Sequence, residues 1–448
     1  MTTWSSGAIT FAEGYLVASS ILAMEIGVGI LGGGTVGGEL ARRLLEDREA
    51  ILAKSGIDLR LRAVAVRELD KPRLFPSRYI VDRADLVVSH PEVDLVVELM
   101  GGVDPAREMV LSALDLGKPV ITANKELLSL HGPELFARAA AKGVSLLFEA
   151  AVGGGIPLIR PLSESLAGER IERVMGIVNG TTNFILTAMD TESIPYLAAL
   201  ADAQRLGYAE ADPTADVSGR DAAAKAAILA GLAFGRWVSI DRVHTEGIVG
   251  LASQDLGFAR QLGYTIKLLA VAESSPQGPA VRVHPALVPT DHPLALIRGA
   301  NNGVFLEGPS IGELLFLGPG AGGKPTATAV LGDVILASRE FLAGTKVAPR
   351  VRFGNGDVRD FSEVETQWYL RLEVRDRPGV LARIAAVFGI HQVSIMSVWQ
   401  DGRGDYATLL LVTHHARETN HRAAVKDLQA LNVVRQVAAT IRVVGAGP

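Results

Sequence analysis

Short unbroken apolar runs alternate with amphipathic stretches through the first third of the chain. EIGVGIL (25–31) is long enough for one buried strand, and ELARRLLEDREAILAKSG, beginning eight residues later, carries the helical period. LRLRAVAV (Leu59–Val66) and DLVVELMGG repeat the strand pattern, the latter running into a glycine turn, and DPAREMVLSALDLG reads as a helix closed by Gly117. PVITANKELL is another strand-to-helix junction, with Asn124 and Lys125 where a parallel strand ends; HGPELFARAAAKG and VSLLFEA add a helix and a strand. Strand and helix alternating through residue 150 predict a doubly wound parallel sheet over 24–150. Residues 151–317 differ. After the glycine- and proline-rich AVGGGIPLIRPL come IERVMGIVNGTTNFIL, an alanine-rich helix to Gly231, and the strand-like runs IKLLAVAES, AVRVHPALV and GANNGVFLEG. This is the pattern of an α+β unit, mainly sheet with helices to one side. The glycine turn GPGAGG then opens a long helix whose apolar face (Val330, Val334, Leu336) predicts that 318–343 return to the first sheet.

Residues 344–365 are polar and rich in Gly and Arg, the composition of a linker. From Gln367 onward the order is strand, helix, strand, strand, helix, strand. That βαββαβ arrangement predicts a ferredoxin-like unit over 366–448, with its own core and with Pro378 at a helix start. Residues 1–23 show no basic segment, cap or periodicity and include the acidic Glu13, so they read as a non-core extension rather than a signal peptide.

Composition narrows the chemistry. The 448 residues are 48% hydrophobic and 21% charged, which fits a soluble multidomain protein in the cytoplasm. Net charge −5 gives no reason to expect nucleic acid, and apolar runs stop well short of the ~20 residues a membrane helix needs. With no cysteine, thiolate catalysis and zinc–thiolate sites are excluded.

Between the first strand and helix, Gly32, Gly34 and Gly37 fit G-x-G-x-x-G, with Thr35 and Val36 at the helix start. In that context the pattern is a dinucleotide fingerprint, because glycine allows the tight turn and the approach of a pyrophosphate to a helix N-terminus. An acidic residue at the end of the second strand would hold an NAD ribose, but Arg67 stands there, with Glu68, Lys71 and Arg73 behind it. A guanidinium suits a 2′-phosphate, so NADP is favoured, while Glu68 keeps NAD open. The stretch GYAEADPTADVSGRDAAAK (207–225) packs Glu210, Asp212, Asp216 and Asp221 ahead of Lys225. Asp221 and Lys225, four apart, share one helix face; the same charges also suit a solvated helix start.

Taken with their order, GILGGGTVGG, VVELMGG, TANKELL, FEAAVGGGIP, GIVNGTTNFIL, LGYAEADPTADVSGRDAAAKAAIL, GYTIKLLA and GPGAGGKPTATAV make the chain resemble homoserine dehydrogenases from Met24 onward. The tail's DRPGVL turn resembles that of ACT domains, small amino-acid-sensing modules. The resemblance implies a Rossmann-type cofactor domain, a catalytic and dimerisation domain, and a regulatory tail. It implies reversible reduction of L-aspartate 4-semialdehyde to L-homoserine in threonine and methionine biosynthesis, by a homodimer or homotetramer. By motif, Lys225 matches the proton-transfer lysine, Asp221 the carboxylate holding substrate and lysine, and Lys125 a second lysine near the nicotinamide. Glu210 and Asp216 match substrate contacts, and Gly320 a cofactor contact. Glu149, Val152, Gly154 and Ile156 match a monovalent-cation (Na+) site made chiefly of backbone carbonyls. The turn from Asp376 to Gly379 offers backbone N–H groups at a helix start, a seat for an amino-acid carboxylate, and the resemblance names L-threonine as the effector. Hydride arriving at an aldehyde carbon leaves charge on oxygen, and a lysine, cationic at neutral pH, meets the need for a donor; oxidation of the alcohol favours alkaline conditions.

Overall fold

The computed structural model describes residues 24–344, 346–348, 350–351, 353–354, 357–402 and 404–445; the N-terminal extension 1–23 lies outside the described residues. Six parallel strands form the first sheet: β1 (Met24–Leu31), β2 (Ile57–Ala65), β3 (Ile80–Val81), β4 (Leu95–Glu98), β5 (Val120–Thr122) and β6 (Leu146–Leu147). Their order is β3-β2-β1-β4-β5-β6, so the winding reverses between β1 and β4. The apolar runs are continuous because both faces of this sheet are covered. The helical stretch after the glycines breaks in two at Asp47, giving helices Thr35–Glu46 and Arg48–Ser55. Helix Gly323–Ala343 returns to this sheet, burying Ala327, Val330, Leu331 and Val334 in the same core as Leu40 and Leu44 of the first helix.

Beyond it, β7 (Arg173–Ile177), β8 (His244–Thr245), β9 (Tyr264–Glu273), β10 (Ala280–Pro289), β11 (Asn301–Gly308) and β12 (Gly312–Pro319) build a mixed sheet. One face packs on helices Gly180–Glu192 and Arg220–Phe234. On the opposite face Met175, Leu269 and Val288 pack under the turn Pro293–Leu296. Lys267 of β9 is buried, and its ammonium donates to Asn183 Oδ1 (3.0 Å) and to the Ile297 carbonyl, tying strand, helix and turn together. Burial pushes this lysine down to about 8.

The tail has the expected order: β13 (Glu365–Arg375), helix Val380–Ile390, β14 (Ile395–Gly402), β15 (Tyr406–Thr413), β16 (Ala416–Arg417), helix Glu418–Ala430 and β17 (Val434–Val443). It departs from expectation in not standing apart. β17 pairs in parallel with β10 (Ala286 with Arg442, Leu287 with Val443), so both sheets run on as one, ordered β12-β11-β7-β9-β10-β17-β13-β15-β14. Tyr369, Leu410, Val412 and Ile441 of the tail belong to the middle unit's core, while a second tail core gathers around Leu370, Ile384 and Leu428. The polar linker is also partly buried: Val358, Phe361 and Val364 are under 9% exposed. Its charged residues hide these three apolar anchors from a composition count. Pro378 precedes the helix cap Gly379 instead of starting the helix, because Gly379 takes φ +86°, which favours glycine, and the helix begins at Val380.

The seam is stitched by charges. Arg371 of β13 donates to both Asp255 oxygens (2.7 and 3.0 Å), with side chains 6% and 1% exposed. Arg442 of β17 is shared between Glu246 (2.6 and 2.9 Å) and Glu418 (2.8 and 2.9 Å). Replacing Asp255 with Ala leaves the Arg371 charge buried without its partner, so it should cost about 3–5 kcal/mol. Urea unfolding followed by Trp fluorescence checks this; a loss below about 1 kcal/mol would mean the pair is effectively solvated.

Candidate active site

The glycine turn after β1 has three different demands. Gly32 takes φ +101°, Gly37 lets the helix press on the Gly32 carbonyl (an added Cβ would lie 1.9 Å from it), and a Cβ on Gly34 would meet open space. Gly34 is also the helix N-cap and offers no side chain to the first N–H groups, including those near Thr35 and Val36. They are left for an anion, the arrangement that receives a pyrophosphate. In front of the turn lies a cleft of ≈360 Å³ at the switch between β1 and β4, where open α/β sheets bind ligands. Arg67, Lys71 and Arg73 line its far end. Arg73 is already engaged, donating to the Gly33 and Glu68 carbonyls (both 2.6 Å), whereas Arg67 and Lys71 are exposed.

At the carboxyl edge of the same sheet, Asn124 caps helix Lys125–Lys142 by accepting from Leu127 N–H (3.0 Å), which fixes Lys125 at the first position. From the other unit come Asp221 and Lys225 on the alanine-rich helix Arg220–Phe234. Asp221 joins them: Oδ2 accepts from Lys225 (2.7 Å), and Oδ1 stands 3.1 Å from Lys125 Nζ. Asp221 is 9% exposed and Lys225 12%, against 40% for Lys125. Burial works to raise the Asp221 carboxyl, but the two lysine charges hold it well below the usual range; it stays ionised. For Lys125, burial opposes the charge, and Asp221 more than compensates, raising it. Lys225 also donates to the Val178 carbonyl (2.7 Å), so two of three ammonium protons are committed and one is left.

Asn179, the first residue of NGTTN, ties the cluster to a helix start. Its Oδ1 caps helix Gly180–Glu192 (Thr182 N–H, 2.8 Å), while Nδ2 donates to Asp216 (2.6 Å) and Asp221 (2.9 Å). The cap was legible as Asn before a helix. Its two carboxylate partners, 37 and 42 residues away, were not. Burial raises the Asp216 carboxyl. Glu210 stands exposed on the preceding loop, and no side-chain hydrogen bond among the described residues joins it to this cluster.

Glu149 does not present its carboxylate to an ion: it accepts N–H bonds from Leu158 (2.5 Å), Ile159 (2.8 Å) and Arg160 (2.9 Å). The buried residues Val152 and Gly154 have carbonyls that accept no hydrogen bond among the described residues, so the donor set left for a cation is backbone oxygen. Gly154 rests on Gly320 (added Cβ to Gly320 carbonyl oxygen, 2.5 Å), and Gly323 rests on Thr35 (3.2 Å), which joins this loop to the nucleotide turn. In the tail, the N–H groups of Arg377 and Val380 are spent within the turn, that of Asp376 donates to the Asp405 carbonyl (3.0 Å), and Asp376 Oδ1 accepts from Gln400 (3.2 Å).

Comparison with known proteins agrees with this geometry along the chain. Family models described as homoserine dehydrogenase, its NAD binding domain, and ACT domain match residues 157–335, 32–149 and 368–432. A Corynebacterium glutamicum homoserine dehydrogenase is 45% identical over 423 residues, 93% of this chain and 95% of that one. The crystal structure of a homoserine dehydrogenase from Thiobacillus denitrificans superposes with TM-score 0.89 at 41% identity, covering 94% of this chain and 99% of that one. A hyperthermophilic archaeal homoserine dehydrogenase mutant in complex with NADPH aligns at TM-score 0.60 and 29% identity, covering 71% of this chain and 99% of that one. With a dinucleotide cleft, a two-lysine carboxylate cluster and near-complete coverage at that identity, the chain belongs to the homoserine dehydrogenase family.

Proposed function

We propose that the chain reduces L-aspartate 4-semialdehyde to L-homoserine, reversibly and with NADPH, within threonine and methionine biosynthesis. The observation that carries this reading is Asp221 shared between Lys125 and Lys225, one lysine from each unit. A reduced nicotinamide bound in the cleft supplies the hydride. As charge grows on the aldehyde oxygen, the uncommitted proton of Lys225 is the donor that meets it. Asp221 orients Lys225 and keeps it from turning away; Lys125, more exposed, borders the cofactor side. Asp216 and Glu210 receive the substrate ammonium, and Asn179 holds Asp216 in place.

Arg67, free at the cleft end, is the group for a 2′-phosphate, with Lys71 beside it. The remaining cofactor contacts are assigned to Gly32, Gly34, Thr35, Val36, Gly37 and Gly320. The carbonyls of Glu149, Val152, Gly154 and Ile156 are assigned to a monovalent cation that stiffens the loop against the nucleotide turn. The tail is assigned feedback regulation by an amino acid such as L-threonine, with Asp376 and Gly379 as one candidate contact. No helix among the described residues is long and apolar enough to cross a membrane; the enzyme is assigned to the cytoplasm as a homo-oligomer.

Following nicotinamide absorbance with aspartate semialdehyde tests the activity directly. Lys225→Ala should lower kcat about 10²-fold or more while the far-UV CD spectrum is unchanged, the scale of a lost general acid. Activity within a few-fold of the parent would refute the role. Arg67→Ala should weaken NADPH by about 1.5–3 kcal/mol, the worth of a hydrogen bond to a charged group, and leave NADH nearly untouched. Equal losses for both cofactors would show that Arg67 does not read the phosphate.

A further inference from the structure

A cleft of ≈940 Å³ lies where the middle sheet meets the tail, away from the nucleotide cleft. Its inner wall is built from buried polar side chains. Arg282 and His284 stand two apart on β10 and so share a face; they are 6% and 3% exposed. Arg442 of β17 and Thr366 of β13 complete the wall. Phe361 of the linker stacks on His244 (4.1 Å) and lies 5.0 Å from the Arg442 guanidinium.

The hydrogen-bond inventory of this wall is incomplete in a specific way. Arg282 spends both Nη groups on Glu273 (2.8 and 3.0 Å), and its buried Nε–H has no acceptor. His284 Nδ1 lies 2.9 Å from the Pro285 carbonyl, so the proton of a neutral ring must sit on Nδ1. Burial, helped by the Arg442 and Arg282 charges, pushes the ring down to about 3, so it is neutral. Nε2 is then a buried acceptor without a donor. One orphan donor and one orphan acceptor on the same strand face are costly to leave unmade. Glu172, Glu273 and Glu307, also in the lining, disfavour a phosphate. They suit a molecule carrying both signs.

We propose that this seam cleft binds a small L-α-amino acid, whose carboxylate accepts from Arg282 Nε–H, whose ammonium faces the lining glutamates, and whose polar side chain donates to His284 Nε2. The proposal rests on the regulatory reading of the tail and places the effector at the seam instead of at the Asp376–Gly379 turn. A physical route to the active site exists. Arg442, in the cleft wall, clasps Glu246. The Glu246–Ile248 loop is pressed on the turn that opens the catalytic helix: Ile248 N–H donates to the Val217 carbonyl (2.9 Å), and a Cβ on Gly247 would lie 2.1 Å from that oxygen. Gly219, at φ +84°, caps the helix bearing Asp221 and Lys225, and its Cβ position lies 3.1 Å from the Glu246 carbonyl and 3.3 Å from Val283 between the two orphan residues. A ligand that draws on Arg282 or shifts Arg442 therefore acts on the turn that aims Asp216 and Asp221.

Isothermal titration calorimetry of the full chain against each proteinogenic L-amino acid tests this. At least one should bind, and His284→Leu and Ser274→Trp should each weaken it about tenfold or more, the effect of losing one good hydrogen bond or the entrance. Ser274 is exposed at the rim beside the cleft lining, so that variant tests access even if His284→Leu does not fold. Asp376→Ala should leave binding unchanged. Glu246→Gln should keep binding but reduce inhibition. Three results would overturn the site: no amino acid binding to the full chain, binding lost only in Asp376→Ala, or binding unchanged in Ser274→Trp. If Ser274→Trp alters only the oligomeric state, a second copy covers the cleft and the site again falls. Activity on aspartate semialdehyde is read separately: turnover without amino-acid binding refutes the seam alone, and inhibition that survives Ser274→Trp refutes the seam but keeps regulation.

Discussion

A buried carboxylate between two ammonium groups is the constraint on which the rest of the molecule depends. Asp221 loses most of its hydration, and an isolated charge so placed would neutralise. It remains ionised because Lys225 comes from one turn along its own helix and Lys125 from the edge of the other sheet. The local pair survives any motion of the units, since both residues ride one helix. The Lys125 pair does not: it exists only while the first sheet faces the alanine-rich helix at the observed angle. Charge balance in this cluster thus depends on the angle between the two units.

Two devices hold that angle. At the hinge, Asp333 on the returning helix accepts from Glu149 N–H (2.8 Å) and Arg160 (2.8 Å), and Glu149 in turn caps the segment after the hinge. Burial pushes Asp333 up to about 7, the mark of a carboxyl kept for its geometry in spite of its solvation. Glycines supply the second device. Gly154 lies against Gly320 more closely than a side chain allows, and Gly323 sits tightly on Thr35, so three segments pack together. The nucleotide turn, the loop of free carbonyls and the return helix are therefore one backbone-packed block.

Periodicity made much of this legible. Continuous apolar runs separated by helical stretches identified the first sheet, and the strand–glycine–helix context turned a weak motif into a specific one. Four-residue spacing put Asp221 beside Lys225. What stayed hidden depends on long-range geometry. Asn179 carries a cap signal, but its hold on Asp216 and Asp221 needs the sheet to fold first. Composition marked 344–365 as a polar linker because it averages over Val358, Phe361 and Val364, three isolated apolar residues that anchor the segment. Arg442 and Arg371 carry no mark in the sequence: nothing local distinguishes a charge facing water from one facing Glu246 or Asp255.

The seam between the middle sheet and the tail follows from that last ambiguity. β17 and β10 share only two register pairs, too few to join two sheets by backbone bonds alone. Apolar packing supplies part of the remainder through Tyr369, Leu410 and Ile441. The rest is ionic, and a buried ion pair adds little net stability because desolvation offsets attraction. It does impose a strong penalty on misplacement, since a shift that separates Arg442 from Glu246 and Glu418 leaves three charges short of partners. Such a joint is stiff in register yet modest in net strength. A purely apolar joint of equal area would slide more easily and separate less readily. Charge at this position fixes the register of the tail against the sheet that carries helix Arg220–Phe234.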